Sequence, residues 1–253
     1  MKITLLGTGT SQGVPVIACP CEVCQSEDPK DKRTRVSVQI EVDSKVFVID
    51  TGPDFRQQML SANTQKLNAV IFTHEHKDHT AGLDDVRAFN FFQKKEMPVY
   101  GHPRVLNQIK REFSYAFEEN KYPGIPQINL IEIDDNFFEI EEVAFHPIKA
   151  MHHLLPVYGY RIGDFGYVTD ANFLENEELE KLKGLQVLVL NALRKEKHLS
   201  HYNLEEALEV IAYLKPQKAF LTHISHQMGK HAIVNSQLPP NVFLAYDGLE
   251  VQI

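Results

Sequence analysis

The stretch "THEHKDHTAGL", Thr73 to Leu83, sets three histidines and an aspartate within six residues, directly after the apolar run "LNAVIF". A lone imidazole at a strand end is usually a satisfied core or surface group. Four such groups at this spacing form a metal-ligand pattern. In an extended loop, residues two apart point the same way, so His74 and His76 are expected to grip one ion while Asp78 and His79 turn toward a second. Each ion needs further ligands, and His153, Asp170 and His223 stand downstream in similar strand-end settings. A carboxylate such as Asp170 can bridge two cations, which a neutral imidazole cannot. Two cations about 3.5–4 Å apart would make hydroxide from a bridging water near neutral pH and neutralise phosphate oxygens during in-line attack. The expected nucleophile is therefore water, and a histidine is needed to protonate a leaving alkoxide.

These groups need a scaffold that brings them together. Buried strands are read over "KITLLG", "VSVQIEV", "KVFVID", "NAVIFT", "PVYG", "EVAFHPI", "YGYRI", "GYVTD", "VLVLN", "KAFLTH" and "VFLAYD". Helices are read over "HPRVLNQIKREFSYAF", over "NFLENEELEKLKG" with Gly184 near its end, and over "NLEEALEVIAYLK" with Asn203 as N-cap, closing before Pro216. Meanders come first and alternation with helices later, which suggests an α+β chain of two facing sheets with helices outside. Asp50, His74, Asp170 and His223 each end a strand, so the chemistry is expected at one sheet edge. The segment "ENKYPGIPQ" reads as a loop, and 253 residues without a linker read as one domain, 1–253.

Hydrophobic residues make up 43% and charged ones 24%, enough apolar material for a sizeable core. The net charge of −8 disfavours nucleic acid and leaves a small substrate favoured. The start, "MKITLLGTGTSQGVPV", lacks a long apolar signal segment, and no stretch approaches the ~18 apolar residues of a membrane span, so a cytoplasmic location without membrane association is expected. All three cysteines lie in "CPCEVC", as Cys19, Cys21 and Cys24, a spacing that suits thiolate metal ligands in a reducing compartment.

The motifs "VIDTG", "THEHKDHTAGL", "YVTD" and "LTHISH" resemble those of the metallo-β-lactamase superfamily. With "LGTGTSQGVP", "CPCEVC", "LTHISHQ" and "AYDGLEVQI", the chain most resembles PhnP-like cyclic-phosphate phosphodiesterases over nearly its whole length. The resemblance implies an αββα sandwich (metallo-β-lactamase fold) holding two divalent catalytic metals, zinc or manganese. His74, His76 and His153 would bind one and Asp78, His79 and His223 the other, with Asp170 between them. His153 is preferred to His152 because it stands six residues before the glycine of "YGY", which leaves His152 as a packing or outer-shell residue. The resemblance also implies a structural zinc on Cys19, Cys21, Cys24 and His226.

Asp78 is carried over as a catalytic residue, and so is His201 of "HLSHYNLEEA", as the general acid, with His198 as its rival. Asp50 orients a ligand histidine or forms a turn before Gly52. His102, His146 and His231 read as structural or solvated, and "FNFFQ" as core. The segment from Asp84 to Pro126 is a candidate lid. Glu75 and Lys77 would alter the field at the mouth of the site, and the loop from Leu193 to Ser200 would alter substrate choice. The implied reaction is hydrolysis of a small phosphodiester, cyclic ones included, by a homodimer. The alternatives are a tRNA 3′-end endonuclease, another hydrolase of thioesters or lactams, and a non-hydrolytic PqqB-like metal protein.

Overall fold

The computed structural model describes residues 1–119 and 122–253. The first sheet is built from β1 (Lys2–Gly7), β2 (Ser37–Val42), β3 (Lys45–Ile49), β4 (Ala69–Ile71), β5 (Met97–Gly101) and β6 (Ile128–Glu132) in spatial sequence. The second contains β7 (Phe138–Ile140), β8 (Val143–His152), β9 (Leu155–Ile162), β10 (Phe165–Val168), β11 (Phe173–Leu174), β12 (Val187–Asn191), β13 (Lys218–Thr222) and β14 (Val242–Leu244), ordered β11-β8-β9-β10-β12-β13-β14 with β7 beside β8. The last strand, β15 (Leu249–Gln252), returns to pair with β1. Each sheet opens as an antiparallel meander and continues in parallel strands, β3 to β6 and β10-β12-β13-β14.

Alternation decides which residues meet between the sheets. Phe47, Ile49 and Ile71 of the first sheet pack with Phe145, Tyr160, Tyr167 and Val189 of the second in one inter-sheet core. The intervening Val46, Val48 and Val70 face the opposite way, onto α1 (Phe55–Ser61), α3 (Arg87–Gln93) and α4 (Pro103–Glu112). Leu188, Leu190 and Leu221 do the same on the second sheet, against α6 (Leu204–Leu214) and α7 (His231–Asn235). Strands covered on both faces read as continuous apolar runs, which is why they are visible in the sequence. The result is the αββα sandwich. The remaining helices are α2 (Lys77–Thr80), which carries part of the histidine motif, and α5 (Asn176–Lys181).

Helix α6 has a full capping box: Asn203 Oδ1 accepts from Glu206 N–H, and Glu206 accepts from Asn203 N–H. It ends at Lys215, in a left-handed conformation just before Pro216. The segment from Asp84 to Pro126 differs from the expected lid. It contains β5, hydrogen-bonded between β4 and β6 inside the sheet, and α4, whose Val105, Leu106 and Ile109 are buried. It is part of the wall. The loop read over 119–127 falls partly on residues 120 and 121, outside the described residues; a turn closes it at Ile125 N–H to Tyr122 O. "FNFFQ" is likewise only partly core: it lies in α3, an outer-layer helix with one inward face, so Phe89 is buried while Phe91 and Phe92 are 65% and 79% exposed. No helix among the described residues is long and apolar enough to cross a membrane.

Candidate metal centre

The parallel strands of both sheets end on the same side, and the chain leaves each end with a polar residue. β3 is followed by Asp50, β4 by Phe72, Thr73 and His74, β10 by Thr169 and Asp170, and β13 by His223. Such carboxyl-end crevices are where open α/β sheets bind ligands. Asp50, Asp170 and His223 all sit in the left-handed region, with φ of 64°, 58° and 55°. Left-handed backbone in non-glycine residues is uncommon and is tolerated best by Asp, Asn and His. Here it turns the chain sharply at the strand end, and each of these three residues is buried.

The histidine motif is extended only as far as His76, where α2 begins; Asp78 and His79 therefore lie on a helical turn rather than on the extended loop that alternation suggests. The turn brings His79 back beside His74. The His74 ring lies 4.6 Å from that of His76 and 4.1 Å from that of His79. His79 Nε2 is 3.3 Å from both Asp78 Oδ2 and Asp170 Oδ2, and His223 Nε2 is 3.0 Å from Asp170 Oδ1. One ligand atom from each of Asp78, His79, Asp170 and His223 falls within a common 4.8 Å. Their close approach is not hydrogen bonding. His74 Nε2, His79 Nε2 and both ring nitrogens of His223 are buried without a hydrogen-bond partner. Buried polar atoms are rarely left so. Nitrogens and carboxylates aimed at shared points, rather than at each other, fit divalent metal ions.

His153 does not join them. It occupies the two-residue turn between β8 and β9, with φ of 57° and an exposed side chain, its N–H bonded to Asn172 Oδ1. The neighbouring His152, paired with Leu155 where the hairpin closes, faces inward instead, its ring 5.3 Å from His76 and 5.9 Å from His74. The left-handed turn at 153 swings that side chain to solvent, so of the two it is His152 that stands beside His74 and His76.

The groups behind these residues fix their tautomers. Asp50 Oδ2 accepts from His79 Nδ1 at 2.7 Å and from Thr73 Oγ1 at 2.8 Å, while Oδ1 accepts from Thr73 N–H. With Nδ1 committed, His79 Nε2 is left for an ion. Ser200 O likewise accepts from His152 Nδ1 at 2.8 Å. Asn191, at the end of β12, holds both the N–H and the carbonyl of Ala171 and so anchors the turn that carries Asp170. Thr73, Asn191 and Ser200 gave no signal in the sequence beyond their places at strand ends and in a histidine-rich loop.

His201 is buried against the carboxylate: its Nε2 lies 3.1 Å from Asp170 Oδ1, and its ring 4.5 Å from His152 and 4.7 Å from His223. His198 stands behind it, Nδ1 to Nδ1 at 3.1 Å. Burial lowers His201 to about 4, with Asp170 opposing the shift. Burial also disfavours charge on His223 and His79, but Asp170 and Asp78 outweigh it, raising His223 to about 9 and His79 well above its ordinary value. Asp170 is held well below the carboxylate range against its burial, chiefly by His223 and His79.

Three residues past His223, the imidazole of His226 meets the cysteines: Nδ1 lies 3.3, 3.3 and 3.6 Å from the Sγ atoms of Cys19, Cys21 and Cys24. Tetrahedral zinc with bonds of about 2.3 Å to sulfur and 2.0–2.1 Å to nitrogen puts S and N about 3.5 Å apart, so this cluster fits zinc. Among the other histidines, His102 stacks on Tyr158, His146 lies beside Phe137, and buried His231 faces Arg33 Nη2 at 3.2 Å. Glu75 and Lys77 are not free at the mouth; both pair with α4, Glu75 with Arg104 and Lys77 with Glu112.

Residues 45–224 match the profile of the beta-lactamase superfamily domain. The whole chain is 41% identical, over 256 aligned residues, to 52% of the length of an octanoyltransferase from Porphyromonas gingivalis. It is 26% identical over 63% of its length to 48% of a ribonuclease Z from Methanococcus maripaludis, so the chain spans about half the length of these curated relatives. Among solved structures, a diphosphatase of the PhnP family superposes with a TM-score of 0.94 at 37% identity, covering 100% of this chain and 97% of that one. The residues of these two clusters fit divalent metal ions on a fold of this kind. The chain belongs to the metallo-β-lactamase superfamily and, within it, to the PhnP family.

Proposed function

We propose that the chain is a dinuclear metal-dependent phosphodiesterase acting with water on a small phosphodiester, cyclic ones included. The observation that supports this best is the convergence of buried, unpartnered imidazole nitrogens around Asp170, with His201 touching the same carboxylate. His74, His76 and His152 would hold one ion and Asp78, His79 and His223 the other, with Asp170 between them. Bound there, two divalent ions lower the pKa of water and neutralise phosphate oxygens.

The chain's own residues do the rest. Asp50 and Ser200 hold a proton on Nδ1 of His79 and His152, which leaves Nε2 as the nitrogen that would face an ion. His201 is in place to hand a proton to a departing alkoxide. Burial lowers its imidazole to about 4 in the metal-free chain, and a phosphodiester anion beside it would raise it toward the operating range. The test is to measure metal content and hydrolysis of bis(p-nitrophenyl) phosphate and a ribose 1,2-cyclic phosphate, then repeat both with His76→Ala. Cleavage that disappears in the variant is expected. Full metal loading without diester cleavage would overturn the reading.

A second reading, cleavage of a diphosphate bond, is favoured by the PhnP-family neighbour named as a diphosphatase. Phosphate leaves as a stable anion and needs no acid, whereas an alkoxide must be protonated. His201→Ala should therefore spare diphosphate cleavage and impair cleavage of alkyl diesters. Ribonuclease activity fits less well, since a net charge of −8 opposes a polyanion. An octanoyl thioester belongs in the substrate panel because of the relative that carries the transferase name.

A further inference from the structure

Three contacts in a row zip the loop after β4 to strand β9. Tyr160 Oη donates to Phe72 O at 2.7 Å, and Tyr158 N–H donates to Thr73 O at 3.0 Å. The third is made by a side chain. Arg104, in the first turn of α4, places Nη2 3.2 Å from Glu75 Oε2, and the same nitrogen donates to the carbonyl of Pro156. The series 72, 73, 75 on one side thus runs against 160, 158, 156 on the other, toward the hairpin end where His152 pairs with Leu155.

Glu75 is the residue between His74 and His76, and its side chain is only 19% exposed. His152 approaches from the other sheet. The first two contacts are backbone or fully buried, so β4 and β9 are fixed to each other only as far as Thr73. Beyond that point no further backbone hydrogen bond between the loop and β9 occurs among the described residues.

We infer that Arg104 is a positioning residue that sets the gap between the His74–His76 pair and His152 by tying Glu75 to the Pro156 carbonyl. Both contacts run through Nη2, an ion pair to Glu75 and a hydrogen bond to Pro156, and the planar guanidinium fixes the direction of that nitrogen more tightly than a freely rotating ammonium does. The inference rests on the metal-site reading above. Lys77 and Glu112, 2.7 Å apart at the other end of α4, make a second tie to the same loop, but Lys77 is 68% exposed and does not reach β9.

The experiment is a zinc titration of the full-length chain against a competing chelator, run on wild type, Arg104→Ala, Arg104→Lys and Lys77→Ala, with melting temperatures alongside. For Arg104→Ala, one of the two catalytic zinc ions should bind about 10–100-fold more weakly while the other and the Cys-His zinc are unchanged. Arg104→Lys should recover only part of that loss, and Lys77→Ala should match wild type. Equal affinity of all three sites in wild type and Arg104→Ala would overturn the inference. So would an equal loss at every site, which marks general destabilisation. If Arg104→Ala does not fold, full zinc affinity in Arg104→Lys overturns it just as well. Wild type binding no zinc at the histidine cluster would instead sink the functional reading itself.

Discussion

The histidine–aspartate cluster and the cysteine cluster stand at either end of one short segment, His223 to His226, yet they are built by opposite means. The first is assembled from the carboxyl ends of strands in two sheets, with His74, His79, Asp170 and His223 buried beside the main cores. The second uses three thiols within six residues of turns, backed by a small apolar patch of Val14, Val23 and Cys24. Sheets dictate the geometry of the first whether or not an ion is bound. The second has little besides its own ligands to hold it in shape, although the backbone of Cys24, with His226, favours the Cys21 thiolate, lowering it to about 6.

If that contrast is right, the sharpest effect on chemistry comes from Asp170→Asn, which should lower hydrolysis at least ~10³-fold while circular dichroism and melting stay near wild type. A large loss of structure in that variant would break the comparison. Next comes His201→Ala, with a loss of ~10²-fold in kcat on an alkyl diester. In wild type the pH limb in kcat should lie above the one in kcat/KM if bound substrate raises this imidazole.

Cys21→Ser should act the other way round. It is expected to remove the Cys-His metal and lower the melting temperature by roughly 4–8 °C, about 2 kcal/mol for a chain of this size, with early proteolysis near residues 14–32. Catalytic metal content should fall less than stability does.

Proton balance separates the two sites further. His79 and His223 are raised and so carry protons at pH 7 in the metal-free chain, and zinc must displace them; calorimetry in buffers of different ionisation enthalpy should detect that release. His223 has a folded pKa above its unfolded one. Its contribution to metal-free stability is therefore fully present below about 6.5 and is lost as pH rises through about 9. Urea unfolding of metal-free protein that grows more stable between pH 6.5 and 9 would contradict this. The smallest effect is predicted for His153→Ala, with metal content and turnover unchanged, against loss of one ion in His152→Ala.

Much of this was legible in the sequence for physical reasons. Strands buried on both faces show as apolar runs, and ligands placed where those runs stop, His74, Asp170 and His223, stand out from their surroundings. The cysteines were visible because they fall within six residues. His226 was reached only through family resemblance, since no local pattern links it to residues some 200 positions earlier. The choice of His153 over His152 went the wrong way because alternation fails where φ turns positive. Short elements such as α1, β6 and β15 carry too few residues for a period to register. The role of Arg104 depends on a contact across both sheets, which spacing does not encode.

The left-handed turns at Asp170 and His223 bear on how this scaffold can change. Glycine would occupy that backbone region freely, relieving roughly 1 kcal/mol at each position, and it would delete a side chain of the candidate metal centre in doing so. Selection for robustness alone would therefore erode the very positions that selection for chemistry must keep. The backbone at these two strand ends is thus kept at a cost that the side chains' own contacts offset, and the strain itself points to Asp170 and His223 as positions held for chemistry.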